Sequence, residues 1–201
     1  MTGGRAIRAE ILKLLGLPAT YFTLLGTLGV SAILANAFSR QGVSPVGYTQ
    51  AGFIVFGVIA VTSEYSGGQI HRTLTAMPRR ITLHLTKMTA LLIVTVPAAI
   101  VTALAGGPSS DAVGASAYLA LTTVLSAAVA TVVRWSIPAV AGLLGYYFVA
   151  GPLLRDRATF AAYLPDAASH DLRALGGSAV VLGWVLVAVG IAAITFHRRD
   201  A

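Results

Sequence analysis

Glu64-Tyr65-Ser66-Gly67-Gly68-Gln69-Ile70-His71-Arg72-Thr73-Leu74-Thr75-Ala76-Met77-Pro78-Arg79-Arg80-Ile81-Thr82-Leu83-His84-Leu85-Thr86-Lys87 is a polar and basic island between two strongly apolar runs. No other internal segment concentrates charge in this way. A charged island so placed marks either a turn of the chain at a membrane surface or a point where the chain grips a partner. The chain around it is 56% hydrophobic and 10% charged, with a mean hydropathy of +0.81; a soluble domain carries about 25% charged residues. Apolar runs of about 20 residues recur along its length, the signature of membrane-spanning helices. Strand-period alternation is absent, which argues against a membrane barrel. The expected fold is an all-α integral membrane protein, a single transmembrane domain over residues 1–201.

Outward from the island, six spans are expected. C-terminal to it, the third span covers about His84 to Ala105 and contains Pro97, whose missing N–H predicts a kink. Gly106 to Asp111 forms a polar turn before a fourth span, Ala112 to Val133. Arg134-Trp135-Ser136 is a brief polar break, and a fifth span from Ile137 to Leu153 is interrupted by Gly142, Gly145 and Gly151-Pro152. Residues 154–175 are polar, and Phe160 and Tyr163 predict short helices at the membrane interface, broken at Pro165. The sixth span covers Gly176 to Phe196. N-terminal to the island, the second span is Tyr48 to Thr62, a Gly- and Pro-containing loop occupies Ser39 to Gly47, and the first span is Thr20 to Phe38.

Residues 5–17 precede that first span. Ile7, Ile11, Leu14 and Leu15 share one helix face, with Arg5, Arg8, Glu10 and Lys13 on the other. Such a helix lies in the interface, with Pro18 ending it; the alternative is simply a span with a charged start. Ala35-Asn36-Ala37 resembles a cleavage site, but Leu14 to Phe38 exceeds the roughly 7–15-residue core of a signal peptide, so the segment reads as a retained span.

Charge sets the orientation. Six spans put both termini on one side, together with Arg5, Arg8, Lys13, Arg72, Arg79, Arg80, Lys87, Arg134, Arg198 and Arg199. The other side holds Arg40, Arg155, Arg157 and Arg173, balanced by its acidic residues, so the net +7 falls on the first. Positive charge marks the cytoplasmic face, and both termini and the island are expected there, in the cell (plasma) membrane. The pI near 10.3 then reflects topology and contacts with interior membrane lipid, not nucleic acid.

The chain has no cysteine, which excludes disulfides and thiol chemistry. It has no P-loop, G-x-S-x-G or H-E-x-x-H pattern, so no catalytic residue or metal site is expected. His71, His84, His170 and His197 are scattered; His84 is either proton-handling or an interfacial side chain. The spans hold almost no ionisable groups, unlike proton-coupled carriers. Asn36, Thr122, Thr123, Tyr146 and Tyr147 could line a substrate path or simply bond helices together. Glu64, at the exit of the second span, calls for a basic partner in this chain or in another subunit. Gln69 to Met77 can form a short helix between Ser66-Gly67-Gly68 and Pro78. A rigid helix so held would act as a lever on two spans; the alternative is an ordinary basic loop.

The run Thr62 to Arg80, with its Ser-Glu-Tyr, Gly, Ile-His-Arg, Thr-Leu and Pro-Arg-Arg succession, resembles the cytoplasmic loop of type-2 ATP-binding-cassette (ABC) permeases of actinobacterial style. Arg-Ala-Glu-Ile-Leu-Lys at 8–13, Tyr163-Leu164-Pro165 and Thr195-Phe196-His197-Arg198-Arg199-Asp200 resemble the family's opening helix, its Tyr-Leu-Pro and its ending. The likeness covers essentially the whole chain, although the chain is shorter than many members. It implies an elbow helix at 5–17 bearing Arg8, Glu10 and Lys13, and extracellular re-entrant helices at 154–175. It also implies a coupling helix within 64–80, with Glu64, Tyr65, Gly68, Ile70, Arg72, Thr73, Leu74, Pro78, Arg79 and Arg80 as the residues that meet the ATPase. Its implied partners are two copies of a separate ABC ATPase subunit, which would hold ATP and magnesium, and a second permease chain, identical or paralogous. This chain itself would carry no cofactor. The implied function is export of a hydrophobic or amphipathic substrate, whether drug, peptide antibiotic or lipid. Two other classes compete: a small integral-membrane enzyme, which would need a cluster of nucleophile or acid–base residues at one depth, and an ATP-independent immunity or assembly protein.

Overall fold

Proline has no N–H to donate and a fixed φ, which suits the first position of a helix. Accordingly α1 (Gly3–Gly16) stops one residue short of Pro18, and α2 (Pro18–Phe38) starts on it. The computed structural model describes residues 3–38, 45–66, 80–106, 112–155, 157, 163–166 and 175–199. After α2 come α3 (Val46–Ser66), α4 (Arg80–Ala105), α5 (Ala112–Val133), α6 (Ser136–Gly145), a π-helical turn (Tyr146–Ala150), α7 (Gly151–Arg155) and α8 (Leu175–Arg199). The described residues contain no strand.

Among the described residues, five helical runs are long and apolar enough to cross a membrane: Pro18–Phe38, Val46–Tyr65, Ile81–Ala105, Ala112–Val133 and Ser136–Arg155. The chain is a multi-pass helical membrane protein. Helix α8 carries a shorter apolar stretch, Ala179–Thr195.

The fifth run differs from the sequence expectation. Gly142, Gly145 and Gly151-Pro152 do not interrupt it; α6, the π turn and α7 are continuous. The Gly151 N–H bonds to the Tyr146 carbonyl, five residues back. Pro152 removes a donor and its ring crowds the preceding turn; a widened turn accommodates both. Helix α4 contains Pro97, as the expected third span does.

Helix α5 is the centre of the bundle, packing on α3, α4 and α8. In lipid, apolar burial gives little drive for helix association, so close approach of small residues and interhelical hydrogen bonds take over. The contact surfaces fit that rule. A side chain at Gly57 would overlap the backbone carbonyl of Thr123, and one at Gly52 would overlap Thr27, so α3 lies tight against both α5 and α2. The hydroxyls of Thr62, Thr95, Thr123, Ser126 and Thr131 return to the carbonyl four residues back, which keeps them satisfied inside a helix. Outward, Phe22, Leu25 and Ile33 of α2, Val101 and Leu104 of α4, and Leu186 and Ile194 of α8 are exposed, as lipid-facing positions require.

Between α5 and α6 the chain turns at Arg134, whose φ of 65° places a non-glycine residue in the left-handed region. Its N–H bonds to the Ala130 carbonyl at 2.7 Å, and extended Trp135 then opens α6.

Candidate functional site

Glu64 lies two residues before the C-terminal end of α3 and is 3% exposed. A carboxylate so deep is tolerated only when paired. Two lysines from two other helices supply the pairing: Lys13 of α1 donates to Oε1 and Lys87 of α4 donates to Oε2. The alternative of a partner on another subunit is therefore not needed to neutralise it. Because Glu64 is doubly neutralised, α3 runs on past Thr62, where the apolar reading stops, to Ser66.

Helix α1 departs from its expected orientation in consequence. Arg8 is exposed, but Glu10 is buried and Lys13 half-buried, and Leu12 and Leu15 are exposed. The charged face is split, with half of it turned inward to meet α3 and α4. Burial pushes the Glu10 carboxyl above its ordinary value of 4.5; Lys87 opposes this, Glu64 adds to it, and Lys13 opposes it. His84 is buried on the same turn of α4 as Lys87. Tyr65, next to Glu64, has the Arg134 guanidinium 5.4 Å from its ring centroid. Gly68, Ile70, Arg72, Thr73, Leu74, Pro78 and Arg79 lie outside the described residues, and Arg80 opens α4. The coupling helix expected within 64–80 lies outside them for the same reason.

A second polar cluster lies at the opposite end of the bundle. The run Ser136–Arg155 starts beside Tyr65 and is 20 residues long, so Arg155 is about 30 Å away along the helix. There Asp166, 2% exposed, accepts from Arg155 Nη2 at 2.6 Å and from the Tyr146 hydroxyl at 3.1 Å. Arg155 also donates to the Asp166 carbonyl at 3.3 Å. Gly151 makes room: a Cβ there would stand 2.5 Å from an Asp166 carboxylate oxygen. Tyr147 meets Tyr146 edge-on at 5.2 Å. Its buried hydroxyl neighbours that of Thr122, also buried, on α5. One helical turn before Thr122, Tyr118 donates to Gln50 of α3.

Of the five residues expected along a path, Thr122, Tyr146 and Tyr147 come together here, whereas Thr123 bonds back to the Leu119 carbonyl and lies against Gly57 of α3. Asn36 does not join them; it is exposed on α2 and donates to the Ala32 carbonyl at 2.8 Å. Within 154–175, Tyr163 is exposed, with its carbonyl bonded to Trp184 Nε1 at 2.8 Å, and Pro165 is buried in a turn; residues 158–162 and 167–174 lie outside the described set.

Sequence reading missed Lys87, Asp166, Arg155, Gln50 and Tyr118 as site residues. Lys87 carried a usable signal, a lysine four residues inside an apolar run. Gln50 carried a weaker one of the same kind. Nothing in the local sequence separates Asp166 from the other charges of its segment. Among the described residues no group of His, Asp and Glu could hold a metal ion.

No protein-family model matches the chain, and no curated protein matches it.

Proposed function

We propose that this chain is the membrane-spanning subunit of an ATP-driven type-2 ABC exporter, with six spans, both termini cytoplasmic, and hydrolysis on a separate ATPase. The observation that carries the reading is the Glu64 node. One buried carboxylate ties the helix entering the basic loop, the helix leaving it and the N-terminal interfacial helix. A force on residues 67–79 then meets a braced frame, and α1, α3 and α4 move together. An unbraced loop would flex instead, and the work of nucleotide binding would be lost in it.

The far end offers the complementary part. Packed interfaces move between discrete arrangements, and the continuous run Ser136–Arg155 starts at the node's end and finishes at Asp166. A π turn at Tyr146–Ala150 is a local weak point of the kind often found at functional positions. Thr122, Tyr146 and Tyr147 would face the substrate there, which the apolar spans restrict to a hydrophobic or amphipathic molecule.

Co-expression with candidate ABC ATPase subunits, followed by reconstitution in lipid nanodiscs, tests the reading. A retained ATPase whose turnover depends on Glu64 supports it. Failure to retain any ATP-hydrolysing partner counts against it. Orientation is tested separately. The chain has no cysteine, so single cysteines at Thr73 and Gly42 report sidedness directly: an impermeant maleimide should label intact cells at Gly42 and not at Thr73. The reverse labelling would invert the topology.

A further inference from the structure

Helix α1 has two unlike faces. Ala6, Glu10 and Leu14 are buried, whereas Arg5, Arg8, Leu12 and Leu15 are exposed. At about 3.6 residues per turn, the second set lies roughly 180° around the helix from the first. We infer that this outward face is a contact site for anionic phospholipid, with Arg5 and Arg8 on the phosphodiester headgroups and Leu12 and Leu15 among the upper acyl chains.

The charge of the face is one-sided because packing sorts the charges of the helix. Its one acid, Glu10, is buried, and Lys13 turns toward Glu64. Arg5 and Arg8 stay outside, three positions apart and therefore neighbours on the helix surface. Neither has an ion pair or hydrogen bond among the described residues. Guanidinium forks so placed suit phosphate oxygens.

The rest of the face selects lipid over an acidic protein. Leu12 is 61% exposed and Leu15 41%. Helix α2 follows at once and exposes Tyr21, Phe22 and Leu25 within a membrane-crossing run. From Arg5 to Leu15 the outward surface thus passes from two cations to hydrocarbon over about 15 Å, just before the chain enters the membrane. That gradient fits a helix at the boundary of headgroups and acyl chains, where long basic side chains reach the phosphates and their stems stay in apolar surroundings. An acidic protein surface would match the arginines and leave the leucines unmatched. Because the inward side of the same helix supplies Lys13 to Glu64, lipid held outside would steady the helix that braces α3. The leaflet follows from the proposed orientation; the contact itself does not depend on it.

The chain has no cysteine, so Ala9→Cys, at an exposed position beside both arginines, carries a single fluorophore. Its quenching is measured on the full chain in mixed micelles with phosphatidylglycerol or phosphatidylcholine bearing a nitroxide near the start of one acyl chain. Phosphatidylglycerol should quench at about 25-fold lower mole fraction, about fivefold for each arginine. Arg5→Gln with Arg8→Gln should abolish that preference, and Arg5→Lys with Arg8→Lys should keep it. Both arginines are exposed, so the melting temperature should be the same in all variants. Equal quenching by the two lipids overturns the inference, as does a preference that survives the double glutamine substitution. A fluorophore shielded from both lipids also overturns it, and marks the face as one covered by protein.

Discussion

Glu64 and Asp166 are both buried carboxylates, yet they are held in different ways at the two ends of the bundle. Glu64 is gripped by lysines 51 and 23 positions away in sequence, from two other helices. Asp166 is gripped by an arginine and a tyrosine 11 and 20 positions away, both on the helical run just before it, and its carboxylate rests in a notch left by Gly151. The first arrangement welds helices to one another. The second pins a short connecting segment to the end of one helix. On the proposed exporter reading, a long-range weld suits the end that would transmit force, and a local pin the end that would open.

That contrast can be broken by substitution. Glu64→Leu leaves two ammonium groups without their counter-charge and should cost about 3–5 kcal/mol, read from thermal unfolding in detergent. Adding Lys87→Met should recover part of the loss. Lys87→Met alone should cost more than Lys13→Met, because the Lys87 side chain is 11% exposed and Lys13 25%. Asp166→Asn should cost less, about 1–3 kcal/mol, because its Arg155 partner is 30% exposed. Gly151→Ala should resemble Asp166→Asn, and the two together should be less than additive, since each removes the same contact. An additive pair would mean that Gly151 acts through something other than Asp166.

Tyr118→Phe should cost about 1 kcal/mol by depriving Gln50 of its buried donor. The smallest effect is expected at Glu10. Burial raises its carboxyl in the folded chain, so the folded protein holds that proton more tightly than the unfolded one. The resulting contribution to stability is full below the ordinary value of 4.5 and is lost as pH rises through the raised folded value. Glu10→Gln should therefore flatten the fall in melting temperature over that window. An unchanged slope would remove Glu10 from the node.

The helices were largely legible in the sequence because apolar run length is a direct reading of membrane thickness. The fourth span, Ala112 to Val133, coincides with α5, and the first begins only two residues late. The boundary at Thr62 fell short because a charge read from local sequence alone marks the end of a span; Glu64 stays in the helix because lysines from elsewhere neutralise it. The fifth run was read as interrupted because glycine and proline are local signals, whereas a π turn lets the helix absorb them. At the site, burial depth and cross-helix pairing belong to the tertiary packing. Tyr146, Tyr147 and Thr122 stood out as polar groups in apolar runs. Asp166 sits in a charged segment where nothing marks the one acid that turns inward.

The most direct measurement of the central claim is ATP hydrolysis by the nanodisc-reconstituted complex of this chain with the proposed ABC ATPase subunit, compared between wild type and Glu64→Gln under conditions where both remain folded. The account expects substrate-stimulated hydrolysis to fall about tenfold in the variant, equivalent to about 1.4 kcal/mol of lost coupling, while the ATPase stays bound. Undiminished stimulation in Glu64→Gln, with the complex intact, would contradict it.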